Sequence, residues 1–190
     1  MRLRVGKSNQ APTSEYKENV VKDNRKRIKR ITMLALCTSL ALLLSYVEML
    51  VPPIFTGVPG IKMGLPNIAI VFILYRIGAK EAAAVSFIRI AITSMLFGSP
   101  LMFVYSFAGA LLSLAVMILL KKLDILSTVG VSVAGALMHN VGQILVAMWL
   151  MQTSQIGYYM MVLAITGTIS GVFIGLAGGY VIKRFERIEI

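Results

Sequence analysis

Read for polarity alone, the chain divides into a polar opening of about thirty residues and six apolar runs separated by short polar or Gly/Pro-rich stretches. The runs cover roughly 31–51, 67–77, 82–97, 101–120, 125–151 and 160–182. About 20 apolar residues, rising 1.5 Å each, cross the hydrocarbon of a bilayer as a helix, and the run at 125–151 is long enough to do so. The run at 67–77 is short, so it must borrow residues from the loop before it or be surrounded by protein. The pattern predicts an all-α integral membrane protein: a six-helix bundle over residues 28–190, preceded by a flexible basic tail over residues 1–27.

Polar residues inside these runs carry the most information, because a polar group at membrane depth must face protein, water or a ligand. Midway along the fifth run stands Gly135-Ala136-Leu137-Met138-His139-Asn140-Val141-Gly142-Gln143, which includes the chain's single histidine. His139 and Gln143 share one helix face with Asn140 beside them, and Gly135 and Gly142 admit close approach by a helix or a ligand. Arg89 lies near the centre of the third run, where a cation is either a site residue or part of a structural ion pair. Glu48, near the outer end of the first run, either reaches the interface or serves as a site carboxylate. In that same run Ala35 and Ser39, and Ala41 and Ser45, are small residues four apart, a spacing that lets a helix of this chain or of a partner pack backbone to backbone. The Pro- and Gly-rich connection at 52–66 carries Lys62, a site cation or a loop-surface charge, and is long enough for a lid.

Composition agrees with the pattern, at 57% hydrophobic residues and a mean hydropathy of +0.81. The net charge of +11 raises the question of nucleic acid, but ten of the 19 Lys and Arg lie in the first 30 residues and most others flank apolar runs. That distribution suits membrane topology rather than a phosphate groove. With both termini in the cytoplasm, 17 of the 19 fall on the cytoplasmic side, leaving Lys62 outside and Arg89 within a span. The cluster Arg25–Arg30 then meets anionic lipid at the bilayer surface. Tyr158 and Tyr159 stand where an aromatic belt is expected. The lone Cys37 cannot form an intrachain disulfide.

The chemistry of catalysis is hard to find in these residues. The two aspartates, Asp23 and Asp124, lie outside the spans, and metal-assisted work on a diphosphate normally needs them clustered. No GxxxxGK[ST] phosphate loop occurs, one histidine and one cysteine on different spans make no metal site, and no spacing marks a catalytic triad. The expectation is a non-enzyme without cofactor or metal. Glu48, Lys62, Asn67, Arg89, His139, Asn140 and Gln143 are instead expected to converge as a small-molecule site, the two cations favouring a carboxylate or phosphate.

The stretches Pro59-Gly60-Ile61-Lys62-Met63-Gly64-Leu65-Pro66-Asn67, Tyr75-Arg76-Ile77-Gly78-Ala79-Lys80-Glu81, Arg89, Phe107-Ala108-Gly109-Ala110-Leu111-Leu112-Ser113 and His139-Asn140-Val141-Gly142-Gln143 resemble the Gx transporter family, also labelled heptaprenyl diphosphate synthase component I. The resemblance covers roughly residues 28–185. That family is similar to the substrate-capture (S) components of energy-coupling factor transporters, six-helix proteins of the bacterial cytoplasmic membrane. It implies capture of a vitamin, flavin, quinone or isoprenoid precursor, with a membrane coupling subunit and two ATPases as partners. It also implies that the first loop is a lid and that Ala35, Ser39 and Ala41 face the coupling subunit. Two alternatives stay open: a non-catalytic membrane subunit of heptaprenyl diphosphate or menaquinone synthesis, and a structural partner of a flavin or quinone redox assembly.

Overall fold

The structure, a computed structural model, describes residues 14–50 and 64–185. These form six α-helices: α1 (Ser14–Leu50), α2 (Asn67–Arg76), α3 (Ala79–Phe97), α4 (Pro100–Leu123), α5 (Thr128–Met151) and α6 (Met160–Arg184). A 3-10 turn, Gln155–Tyr159, joins the last two. Consecutive helices pack on one another, α6 returns to α2, and α1 lies against α2 and α3. Four helices, α1, α4, α5 and α6, are long and apolar enough to cross a membrane. Of the other two, α3 carries Lys80, Glu81 and Arg89, and α2 has only 10 residues.

Local chemistry sets the boundaries. Ser99 caps α4 by accepting from the Met102 amide (3.2 Å), with Pro100 in the first turn, where its missing N–H is no loss. Ser127 does the same for α5 through the Gly130 amide (3.3 Å). Asp124 and Gln152, with φ of 52° and 50°, end α4 and α5 in the left-handed conformation.

The short α2 is the plug of the fold. Every residue from Ala69 to Leu74 is buried, and Ile70–Leu74 join Cys37, Val85, Leu114, Met117, Val131 and Ile174 in the core. A helix of 10 residues is about 15 Å long, half the hydrocarbon thickness. Its last turn is held at the end of the bundle where the basic residues gather. Lys121 Nζ donates to the Leu74 carbonyl (2.5 Å) and lies 5.1 Å over the Tyr75 ring, while Arg76 Nη2 donates to the Phe185 carbonyl (3.0 Å). Beside them Arg30 of α1 pairs with Glu81 of α3. Thus α2 fills the basic half of the bundle and stops near its middle.

Glycines bring α5 and α6 into backbone contact. A Cβ on Gly171 would lie 2.6 Å from Val133 Cα, one on Gly175 2.6 Å from Val129 Cα, and one on Gly167 2.5 Å from Asn140 Nδ2. On the other side of α5, a Cβ on Gly142 would lie 2.8 Å from the Ala108 carbonyl oxygen, too close to fit without a shift.

Two expectations need correction. The boundary set at residue 27 is not a structural one, since α1 is continuous from Ser14. Residues 15–30 lack an apolar face but are good helix formers, with Glu18 and Lys22 paired at 2.8 Å one turn apart. Ala41 does not face outward: Cys37, Ala41 and Ser45, each four residues on, form the buried stripe of α1, whereas Ala35 and Ser39 are exposed. Lys62 and most of the expected lid lie outside the described residues.

Candidate functional site

Above the first turn of α2 the bundle holds a cavity of about 80 Å³. Glu48 of α1, Asn67 of α2, Arg89 of α3 and His139, Asn140 and Gln143 of α5 all line it. These are six of the seven side chains picked from the sequence, brought together from four helices. From the first residue of its own helix Arg89 stands about 15 Å along the axis and His139 about 17 Å, so both sit near the middle of their helices. Lining residues of α4 (Met102, Ser106) and α6 (Leu163, Thr166, Gly167, Ser170, Ile174) complete the wall.

The Arg89 guanidinium reaches from α3 to α1. Its Nη1 donates to Ser45 Oγ at 3.4 Å, and Ser45 in turn donates to the Ala41 carbonyl at 2.8 Å. Arg89 Nε is buried without a hydrogen-bond partner, an expensive state for a charged donor inside a protein. Glu48 is close enough to interact with Arg89 electrostatically, and its Oε1 accepts from the Gly64 amide. Gly64 adopts φ +71°, a conformation costly for a residue with a side chain, and a Cβ there would come 3.1 Å from Ile174 Cδ1. Its carbonyl accepts from the Asn67 amide (2.8 Å), opening α2. Glu48, Gly64 and Asn67 therefore form one connected rim.

On α5 the neighbours divide the work. Asn140 Nδ2 donates to the Leu163 carbonyl of α6 at 2.7 Å, joining two walls. The His139 ring packs over Gly109 of α4, where an added Cβ would lie 3.0 Å from Nδ1 and Cε1. Small residues in the Phe107–Ser113 stretch thus make room for the histidine.

Sequence reasoning missed the hydroxyls: Ser45, Thr93, Ser94, Ser106, Thr166 and Ser170 also line the cavity. Their signal was present but faint. Thr93 stands four residues after Arg89 and Ser170 four after Thr166, each on the face of its neighbour. Ser and Thr in apolar helices commonly bond their own backbone, as Thr166 does to the Val162 carbonyl at 3.0 Å, so their presence alone marks no site.

No curated protein and no solved structure matches the chain. The family model for heptaprenyl diphosphate synthase component I matches residues 37–181, a stretch that begins within α1, ends within α6 and contains every described cavity-lining residue, and the chain belongs to that family.

Proposed function

We propose that this protein is a substrate-capture subunit of the bacterial cytoplasmic membrane, resembling the S components of energy-coupling factor transporters. Its termini face the cytoplasm, and its cavity receives a small cofactor-related molecule from outside: a vitamin, flavin, quinone or isoprenoid precursor. A coupling subunit, docked on the α1 face that bears Ala35 and Ser39, and partner ATPases supply the energy. The observation that carries this reading is the convergence of Glu48, Asn67, Arg89, His139, Asn140 and Gln143 on one cavity, in the half of the bundle away from the basic end. A few placed polar groups in an apolar frame are the usual makeup of a small-molecule site. Driving a conformational cycle further requires the ligand to prefer one state.

Native mass spectrometry of the full-length protein tests this. A bound small molecule is expected in the wild type and absent from Arg89→Gln and His139→Ala variants that remain folded. An empty wild type purified under ligand-retaining conditions, together with unchanged uptake in a deletion strain, sinks the proposal. The family's description supports a second reading, a non-catalytic membrane subunit of heptaprenyl diphosphate synthesis. That reading predicts that a catalytic prenyl synthase loses activity when this chain is deleted and regains it on addition of the purified protein.

A further inference from the structure

The charges in the cavity wall nearly cancel. Among the described lining residues Arg89 is the one permanent cation and Glu48 the one carboxylate, and the two interact electrostatically. The remaining polar lining is neutral: six hydroxyls, the three carboxamides of Asn67, Asn140 and Gln143, and the imidazole of His139. The start of α2 adds no free anion-binding amides. The amides of Asn67, Ile68 and Ala69 already bond the carbonyls of Gly64, Leu65 and Pro66 at 2.8, 3.2 and 3.2 Å. An anion placed here would leave one uncompensated negative charge in a low-dielectric interior. A neutral guest would leave the pair balanced, and its carbonyl or ring nitrogen would accept a hydrogen bond from the Arg89 guanidinium in the cavity wall.

We infer that the cavity selects a ligand of zero net charge, rich in carbonyl, hydroxyl or ring-nitrogen groups, over a phosphorylated or carboxylated analogue of the same size. This inference rests on the ligand-capture reading and revises the anionic ligand expected from two cations, because Glu48 offsets Arg89. Glu48 is then the charge filter, and Arg89 the donor that both kinds of ligand need.

The experiment uses matched probes differing by an ionised group: riboflavin against flavin mononucleotide, and 1,4-dihydroxynaphthalene against 1,4-dihydroxy-2-naphthoate, the second pair kept reduced. Binding of each is measured by equilibrium dialysis with full-length protein in detergent at pH 7. Within a pair that binds, the neutral member is expected to bind at least tenfold tighter. Glu48→Gln should move the ratio at least tenfold toward the anion, Glu48→Asp should leave it within threefold, and Arg89→Gln should weaken both members. Helical circular dichroism and a monodisperse elution profile confirm that each variant is folded. Tenfold preference for the anion in the wild type, a ratio unmoved by Glu48→Gln, or loss of that preference in Lys62→Met overturns the charge assignment while leaving ligand capture standing. Failure of all four probes to bind the wild type overturns the charge assignment, and ligand capture falls with it only when native mass spectrometry also finds the wild type empty and uptake in the deletion strain is unchanged.

Discussion

The two halves of this bundle are built on opposite rules. Toward the basic end, α2 packs Ile70–Leu74 against α1, α3 and α6, and Lys121 binds the Leu74 carbonyl in its last turn. Toward the other end α2 is missing, and hydroxyls, amides and the Arg89–Glu48 pair face a hollow. The difference teaches that the cavity follows from the length of one helix. A bundle whose second helix spanned the full bilayer would fill that space with side chains.

The contrast is open to attack by mutation, beginning where the effect is greatest. Ile73, fully buried, should be the least tolerant: Ile73→Ala is expected to lower stability by about 3 kcal/mol, read from unfolding in a mild detergent titrated with sodium dodecyl sulfate. A loss under about 1 kcal/mol would mean the plug is loosely packed and the contrast false. Next comes the seam shared by both halves. Gly171→Leu places a side chain against the Val133 backbone and should cost about 2 kcal/mol, with a matching fall in the thermal midpoint. Asn140→Leu removes the bond to the Leu163 carbonyl and should cost about 1 kcal/mol, measured in the same titration. Smallest of all, Ser106→Ala and Thr93→Ala should change stability by less than about 0.5 kcal/mol while reducing the amount of co-purified ligand. Equal sensitivity in both halves would show that the hollow is ordinary core.

Much of this was legible in the sequence. The starts and ends of α2 to α6 fall within about three residues of those read from polarity, since Pro100, Asp124, Ser127 and Gln152 punctuate apolar runs of nearly constant character. The site was legible wherever polarity was improbable at its depth, which is why Arg89, His139, Asn140 and Gln143 stood out. Three things were not. The start of α1 was hidden because an exposed helix needs no apolar stripe. Ala41 and Ala35 are chemically identical, and only the rotation of α1 about its axis puts one inside and the other out. The cavity hydroxyls look like every other Ser and Thr in an apolar helix, and it is their partners across the bundle that give them meaning.

One consequence of the glycine face of α6 remains. Gly167, Gly171 and Gly175 recur every four residues, so a slide of α6 along α5 by about 6 Å would present nearly the same contour to the partner helix. A smooth, self-repeating track of this kind cannot choose its own stopping point. The side-chain amide of Asn140, latched to the Leu163 carbonyl, marks the stop and acts as a detent on a sliding rail.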